Sequence, residues 1–338
     1  MLLMKKIDNI NYPAPKQEYK VLVRCFTFNQ SKYIEETLNG FAMQQTNFPF
    51  ACLVMDDAST DGEQEVIKAW IERECDMSRA ETIEISTSIV IVVPHKTNAS
   101  CTFALYLLKQ NLYYNDDKKM DYVYPWREVS RYEAICEGDD WWTDSTKLQK
   151  QVDFLDAHPE YLMCSTSYSS VRMKDGYINK GGEPGSGRDI TFRQLMKKNT
   201  VGTLTVMYRL DVFVKYQNEV LSLRPKFMMG DLPLWLYIAS QGKIRELPFD
   251  MANYRVLERS ASHYDDFDRQ YKFFIEGSRI RLWMNRFVGT HYSFYIWVRL
   301  LIGTRHFCRR WAKTHNESRI TLWRKALSHL KSRMAIAL

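Results

Sequence analysis

Residues 19–45 read YKVLVRCFTFNQSKYIEETLNGFAMQQ. The first ten form a short apolar run rich in β-branched and aromatic side chains, which predicts a strand. From Ser31 the spacing changes: Ile34, Leu38, Phe41 and Ala42 recur at helical intervals, and Ser31 is placed as an N-cap. The pair repeats as FACLVM (50–55), a buried strand, and EQEVIKAWIERE (63–74), an amphipathic helix. SIVIVV (88–93) reads as a third strand and TFALYLLKQNLYY (102–114) as a third helix. Strand alternating with helix predicts parallel β-α units in an α/β fold with a mostly parallel central sheet.

Further along, NDDKKMDYVYPWREVS (115–130) is polar and reads as an inserted loop, and RYEAIC (131–136) as a strand. KLQKQVDFLDAHP (147–159) reads as a helix stopped by Pro159, YLMCSTSYSSV (161–171) as β-rich, and TLTVMYR (203–209) as a strand. NKGGEPGSGRD (179–189) is a glycine-rich loop of the kind that can order over a bound substrate. DLPLWLYIASQG (231–242) has proline near its first turn and glycine at its end, the expected helix asymmetry. IRELPFDMANYRV (244–256) reads as a strand, and beyond about residue 265 the pattern is helical and aromatic.

With 45% hydrophobic and 26% charged residues in 338, the chain can bury a substantial core. Its seven cysteines, at 25, 52, 75, 101, 136, 164 and 308, include no C-x-x-C pair, which points to reduced thiols in a cytoplasm. The start MLLMKKIDN has too short an apolar run for a signal peptide, and no stretch has the roughly 18 apolar residues of a spanning helix. The net charge of +7 is concentrated at the end: from Leu301 onward Arg305, Arg309, Arg310, Lys313, Arg319, Arg324, Lys325, Lys331 and Arg333 face one acid, Glu317. HYSFYIWVRLLIGTRHFCRRWAKTHNESR (291–319) mixes these bases with aromatic and aliphatic residues. That composition suits a helix at a membrane surface, an ordinary appendage packed on the domain, or a dimer contact. No recognition motif accompanies the charge, which argues against nucleic acid.

Three acidic clusters carry candidate chemistry. EGDDWW (137–142) follows a predicted strand, and Glu137, Asp139 and Asp140 around Gly138 could supply the few carboxylates that a metal–diphosphate complex needs. Taken alone it reads equally as a helix cap beside core tryptophans. DDASTDG (56–62) follows the second strand and alone reads as turn and cap chemistry. MMGDLPL (228–234) places Asp231 at a helix start. In open α/β sheets ligands bind at the carboxyl ends of the strands, which would put the first two clusters on one rim.

Together these segments resemble the family 2 glycosyltransferases, whose fold is GT-A. VRCFTFNQSKYIEETLNGFAMQQ (23–45) is similar to the family's opening strand and helix, and LVMDDASTDG (53–62) to its nucleotide-contacting turn. CEGDDWWTDSTKLQKQVDFLDAHPEY (136–161) resembles its metal-binding D-x-D segment, and MGDLPLWLYIASQGKIRELPFDMANYRV (229–256) its acceptor-side motif. The resemblance covers roughly residues 19–262, with a short extension at 1–18 and a basic helical region at 263–338. Members that build bacterial surface polysaccharides are the nearest in kind.

The resemblance implies a Rossmann-like nucleotide-diphospho-sugar transferase fold and an inverting, metal-dependent transfer from a nucleotide sugar, UDP-linked, to a hydroxyl of a glycan or lipid-linked acceptor. By it Asp57 would bind the uracil with Asp56 in support, and Phe28 and Asn29 would lie near the nucleotide. Asp139 would contact Mn²⁺ or Mg²⁺, Asp140 would share or orient the metal, and Asp231 would be the catalytic base. Glu137 replaces the usual first aspartate and could still reach the ribose. Leu257 stands where many relatives carry a histidine after YRV, and His263 is near but out of register. Trp141 and Trp235 could stack on acceptor sugars, and Trp142 likewise, or they could be core. The enzyme would be cytoplasmic, peripheral on the membrane if 291–338 binds lipid. A sugar nucleotidyltransferase would need a glycine-rich phosphate loop that CFTFNQSKY (25–33) lacks, and a non-catalytic scaffold of a polysaccharide assembly would not need intact acids at 57, 139 and 231.

Overall fold

The computed structural model describes residues 15–113, 116–180, 187–257 and 266–334. The opening stretch forms strand β1 (Tyr19–Thr27) and helix α1 (Ile34–Ala42), followed by β2 (Phe50–Asp56) and α2 (Glu63–Glu74). Then come β3 (Glu81–Glu84), β4 (Ser88–Pro94), β5 (Cys101–Leu108), α3 (Asp116–Glu128), β6 (Ser130–Ile135), β7 (Trp141–Trp142) and α4 (Lys147–Ala157). The second half contains β8 (Tyr161–Arg172), β9 (Ile178–Asn179), β10 (Arg188–Asp189), α5 (Phe192–Lys197), β11 (Met207–Arg209), α6 (Leu210–Tyr216), α7 (Asp231–Gln241) and β12 (Lys243–Val256). Helices α8 (Phe267–Phe287), α9 (Ser293–His315) and α10 (Arg319–Met334) close the chain.

The strands join in one sheet of order β10-β12-β8-β11-β6-β1-β2-β5-β4-β3. Its centre, β6-β1-β2-β5, is parallel, whereas β11, β4 and β3 pair antiparallel on the flanks. The alternation along β1 decides which layer each helix joins. Val21, Val23 and Cys25 pack under α1 and α2 with Phe41 and Trp70, while Leu22 faces α3 with Val123 and Trp126. The three last helices share a core with the second half of the sheet through Trp235, Tyr271 and Phe307. Among the described residues no helix is long and apolar enough to cross a membrane. All seven cysteines are buried free thiols.

Three expectations on secondary structure are corrected, and the expected cap Ser31 gives way to Tyr33, which caps α1 without a side-chain bond. Residues 102–114 begin as strand β5, not a helix: it lies between β2 and β4 with both faces covered, so its run is apolar throughout and carries no usable period. The expected loop at 115–130 is helix α3 with Pro125 inside. Its buried Tyr122, Val123 and Trp126 pack on the sheet, and the Trp126 indole donates to the Tyr106 hydroxyl at 2.8 Å, so tertiary packing overrides the proline signal. Of 203–209, only Met207–Arg209 is strand, after a 3-10 turn at Thr203–Thr205. The glycine-rich loop leaves from β9 and returns through β10, and its residues 181–186 lie outside the described ones, as does His263.

Beneath the rim of the sheet, β6 buries Glu133 completely. Arg24 Nε donates to it at 2.7 Å, and Arg127 donates through Nε at 2.5 Å and Nη2 at 2.9 Å. Burial alone would raise the Glu133 pKa, but Arg127 and Arg24 overcome it and hold the carboxyl at about 2. Because that value is below the ordinary one, the stabilisation is complete above about pH 4.5 and is lost as pH falls toward 2. Glu133→Gln is expected to cost about 3–5 kcal/mol, since it strands two buried guanidinium groups. Urea unfolding at neutral pH measures this, and a loss below about 1 kcal/mol would contradict it.

Candidate functional site: an acidic rim at the strand ends

The parallel register brings the ends of β1, β2 and β6 to one edge. Thr27 pairs with Asp56, the Asp57 amide donates to the Thr27 carbonyl at 3.0 Å, and the Gly138 amide donates to the Phe26 carbonyl at 3.2 Å. Phe28, Asn29, Asp56, Asp57 and Glu137–Asp140 are thus gathered as the strand order implied. Gly138 is required by closeness: a Cβ there would lie 2.0 Å from the Thr27 hydroxyl.

On the side assigned to the nucleotide, Phe28 exposes its ring. Asn29 has φ +57° and crosslinks two loops, its amide donating to Ser59 Oγ at 2.8 Å and its side-chain oxygen accepting from the Thr60 amide at 2.8 Å. Asp56 is buried; its Oδ1 accepts from the Ser59 amide and from Gln64 Nε2, at 3.0 and 2.5 Å. Asp57 Oδ1 accepts from the Leu112 amide at 2.6 Å, and Lys119 Nζ lies 2.6 Å from Oδ2. Glu63, buried at the start of α2, accepts from Thr27, from the Gln30 amide at 2.7 Å and from Ser59 Oγ at 2.9 Å. Glu63 and Lys119 escaped the sequence reading: Glu63 looked like a helix-surface acid, and Lys119 lay in the supposed loop.

On the EGDDWW side, the Thr37 hydroxyl is shared between the Gly138 and Asp140 carbonyls, at 3.0 and 2.6 Å. Asp140 Oδ1 accepts from the Arg255 amide at 2.8 Å, and Arg255 Nη1 donates to the Asp139 carbonyl at 2.5 Å. The same guanidinium pairs with Glu36 and lies 4.0 Å from the Trp141 ring centroid. Asp140 therefore anchors the loop to β12, and Arg255 covers one face of Trp141. Trp142 is buried and donates to the Leu204 carbonyl at 2.8 Å. Trp235 has no exposed surface and packs edge-on to Tyr208, so its expected role on acceptor sugars is withdrawn: no ring face is open. The reason lies in α7, which is covered by the sheet on one side and α8 on another and so is apolar nearly all round.

The carboxylates left facing the rim crowd one another. Burial first, then Asp139 and Asp231, push Glu137 up to about 7. Burial also raises Asp139, and burial with Asp139 and Glu137 raises Asp140 well above the carboxylate range. Asp231, at the start of α7, is raised by burial, opposed in part by Asn199, whose Nδ2 donates to its Oδ2 at 3.3 Å. Arg24 is the cation that pulls Glu137 down, and it is committed to Glu133. A set of oxygen donors with this unmet negative charge fits a hard divalent cation. Among the described residues no three acidic, histidine or cysteine side chains form a metal site by themselves, so such a cation would need further oxygens from a ligand.

Residues 25–98 match the model of glycosyl transferase family 2. The chain is 33% identical over 232 residues to an uncharacterized protein of Mycobacterium tuberculosis, covering 68% of this chain and 56% of that one. It therefore spans little more than half the length of that relative. It is 24% identical over 247 residues to the putative teichuronic acid biosynthesis glycosyltransferase TuaG of Bacillus subtilis, covering 72% of this chain and 82% of that one. Among solved structures it is similar to S. aureus TarS in complex with UDP, with TM-score 0.51 and 16% identity over 85% of this chain and 72% of that one. It is also similar to the mannosyltransferase PcManGT of Pyrobaculum calidifontis in complex with GDP-Man and Mn²⁺, with TM-score 0.50 and 14% identity over 96% of this chain and 77% of that one. Residues 25–98 are thus similar to glycosyl transferase family 2, and the chain has the GT-A fold of these glycosyltransferase structures.

One strained position in the rim is testable. Ala58, just after Asp57, has φ +60°, a conformation that costs a residue with a Cβ roughly 1–2 kcal/mol. Ala58→Gly is expected to stabilise the chain by about 1 kcal/mol, net of the extra entropy glycine loses on folding. A thermal melt checks it, and a lowered midpoint would contradict the strain.

Proposed function

We propose that this chain is an inverting, metal-dependent glycosyltransferase that moves a sugar from a UDP-sugar to a hydroxyl of a glycan or lipid-linked acceptor in bacterial surface polysaccharide synthesis. The observation that carries this reading is the rim itself: the partly buried Glu137 carries the charge of both Asp139 and Asp231 beside it, next to loops bearing Phe28 and Asp57. The UDP bound by TarS and the GDP-Man and Mn²⁺ bound by PcManGT support a nucleotide-sugar donor here. TuaG's printed role in teichuronic acid synthesis supports a surface polymer as product.

In this reading Asp57 accepts from a base N–H, with Phe28 against the base and Asn29 fixing the loop between them. Lys119, already paired with Asp57, fixes that carboxylate in place and adds a donor beside it. Asp139 would hold Mn²⁺ or Mg²⁺, with Glu137 toward the ribose and Asp140 keeping the loop in place. A cation bound there would neutralise charge on the leaving diphosphate. Asp231 takes the proton of the acceptor hydroxyl as its oxygen bonds to the anomeric carbon, and the bond from that carbon to the diphosphate oxygen breaks to release the nucleotide. One base opposite the leaving group means a single displacement with inversion. Burial raises Asp231, which makes it a better base than an exposed aspartate.

Asp231→Asn keeps the shape of the site and removes the base. It is expected to lower transfer to an acceptor by about 10²- to 10⁴-fold. Binding of the nucleotide sugar, read by thermal shift, should stay near that of the parent chain. Near-normal transfer by the variant would remove Asp231 from the role.

A further inference from the structure

The exposed side of α9 serves neither the core nor the acidic rim. Its inner side, with Leu300, Phe307 and Trp311, packs on α8 and α10. Outward, its first half displays Phe294, Val298, Leu301 and Ile302, which are 82%, 37%, 47% and 54% exposed. Positions 294, 298, 301 and 305 follow helical spacing, so this apolar stripe runs on into exposed Arg305, Arg309 and Lys313 along the same side. The 23 residues of α9 include no acid. Glu317, just beyond it, accepts from the Trp311 indole at 3.1 Å.

We propose that this side of α9 is a docking surface for an anionic lipid bilayer. Its apolar first half enters the boundary between headgroups and acyl chains, and its basic second half meets the lipid phosphates. Charge complementarity favours that partner, because a stripe of cations without acids is unpaired against a neutral surface and repels a second copy of itself. The stripe is placed to matter. Arg299 Nη1 donates to the Lys197 carbonyl at 2.9 Å, and Asn199, two residues on, donates to Asp231 at 3.3 Å. α9 is thereby tied through one short segment to Asp231. A consequence of docking for a lipid-linked acceptor rests on the proposed transfer reaction; the docking does not.

The test is flotation of the intact chain with vesicles of phosphatidylcholine containing roughly one-third phosphatidylglycerol, at low salt. Binding is expected there and not with pure phosphatidylcholine. Phe294→Glu with Leu301→Glu should weaken partitioning at least about tenfold, since two apolar anchors are lost. Arg305→Glu with Arg309→Glu should weaken it by a similar factor of about ten or more, from the loss of roughly 1 kcal/mol per base. All four positions are exposed, so unfolding midpoints should not move, and the two pairs act independently if one fails to fold. Flotation needs no sugar donor, so its outcome is separate from that of the transfer assay. Absence of binding by the intact chain, or flotation of the Phe294/Leu301 variant equal to the parent's, would overturn the proposal. So would dimerisation in light scattering without vesicles that the same variant abolishes, which would make the stripe a contact between copies.

Discussion

The arrangement of this molecule turns on negative charge held in a poorly solvated place. Three parallel strands end together, and their loops, with the start of α7, direct Glu137, Asp139 and Asp231 into one field that raises Glu137 to about 7. Such crowding is costly in a folded chain unless a proton or a cation compensates it. The sheet cannot relieve it by moving, because the loops leave strands of the parallel centre, of which β2 is fully buried, and neighbouring strands fix their register. A cluster of uncompensated acids is thereby held at the edge of a rigid core.

Neutral donors and one arginine do the holding. The Thr37 hydroxyl, the Arg255 amide and the Arg255 guanidinium bind carbonyls and one carboxylate oxygen of the EGDDWW loop, and thus position the acids without neutralising Asp139. Below them, Glu133 pairs with Arg24 and Arg127, so the Arg24 charge that reaches Glu137 offsets only part of the negative charge of the rim. A chain of net charge +7 carries its excess bases beyond residue 301, on α9, α10 and the segments beside them, and not in the loops of the rim.

Much of this was legible in the residues. Strand and helix alternate with different periods from Tyr19 to Glu74, and the acids follow the strands, so both the parallel centre and the shared rim could be read. What escaped shares one cause: the signal lay in three-dimensional neighbours. Strand β5 is covered on both faces and so lost its alternation, and α3 holds a proline that packing of Trp126 tolerates. Trp235 could be read either as a sugar platform or as core; α7 is enclosed and takes it into the core. Lys119 became visible beside Asp57 only once α3 was a helix.

On the proposed function, the acidic rim is half of a coordination shell completed by a nucleotide diphosphate and a divalent cation. Thermal unfolding with UDP, Mn²⁺, both together and neither, on the parent chain and on Asp139→Asn, tests it most directly. UDP and Mn²⁺ together are expected to stabilise the parent by about 2.7 kcal/mol at a hundredfold excess over the dissociation constant, with far less from either alone, and Asp139→Asn to lose the joint effect. Equal stabilisation of the variant, or none of the parent by the pair, would contradict it.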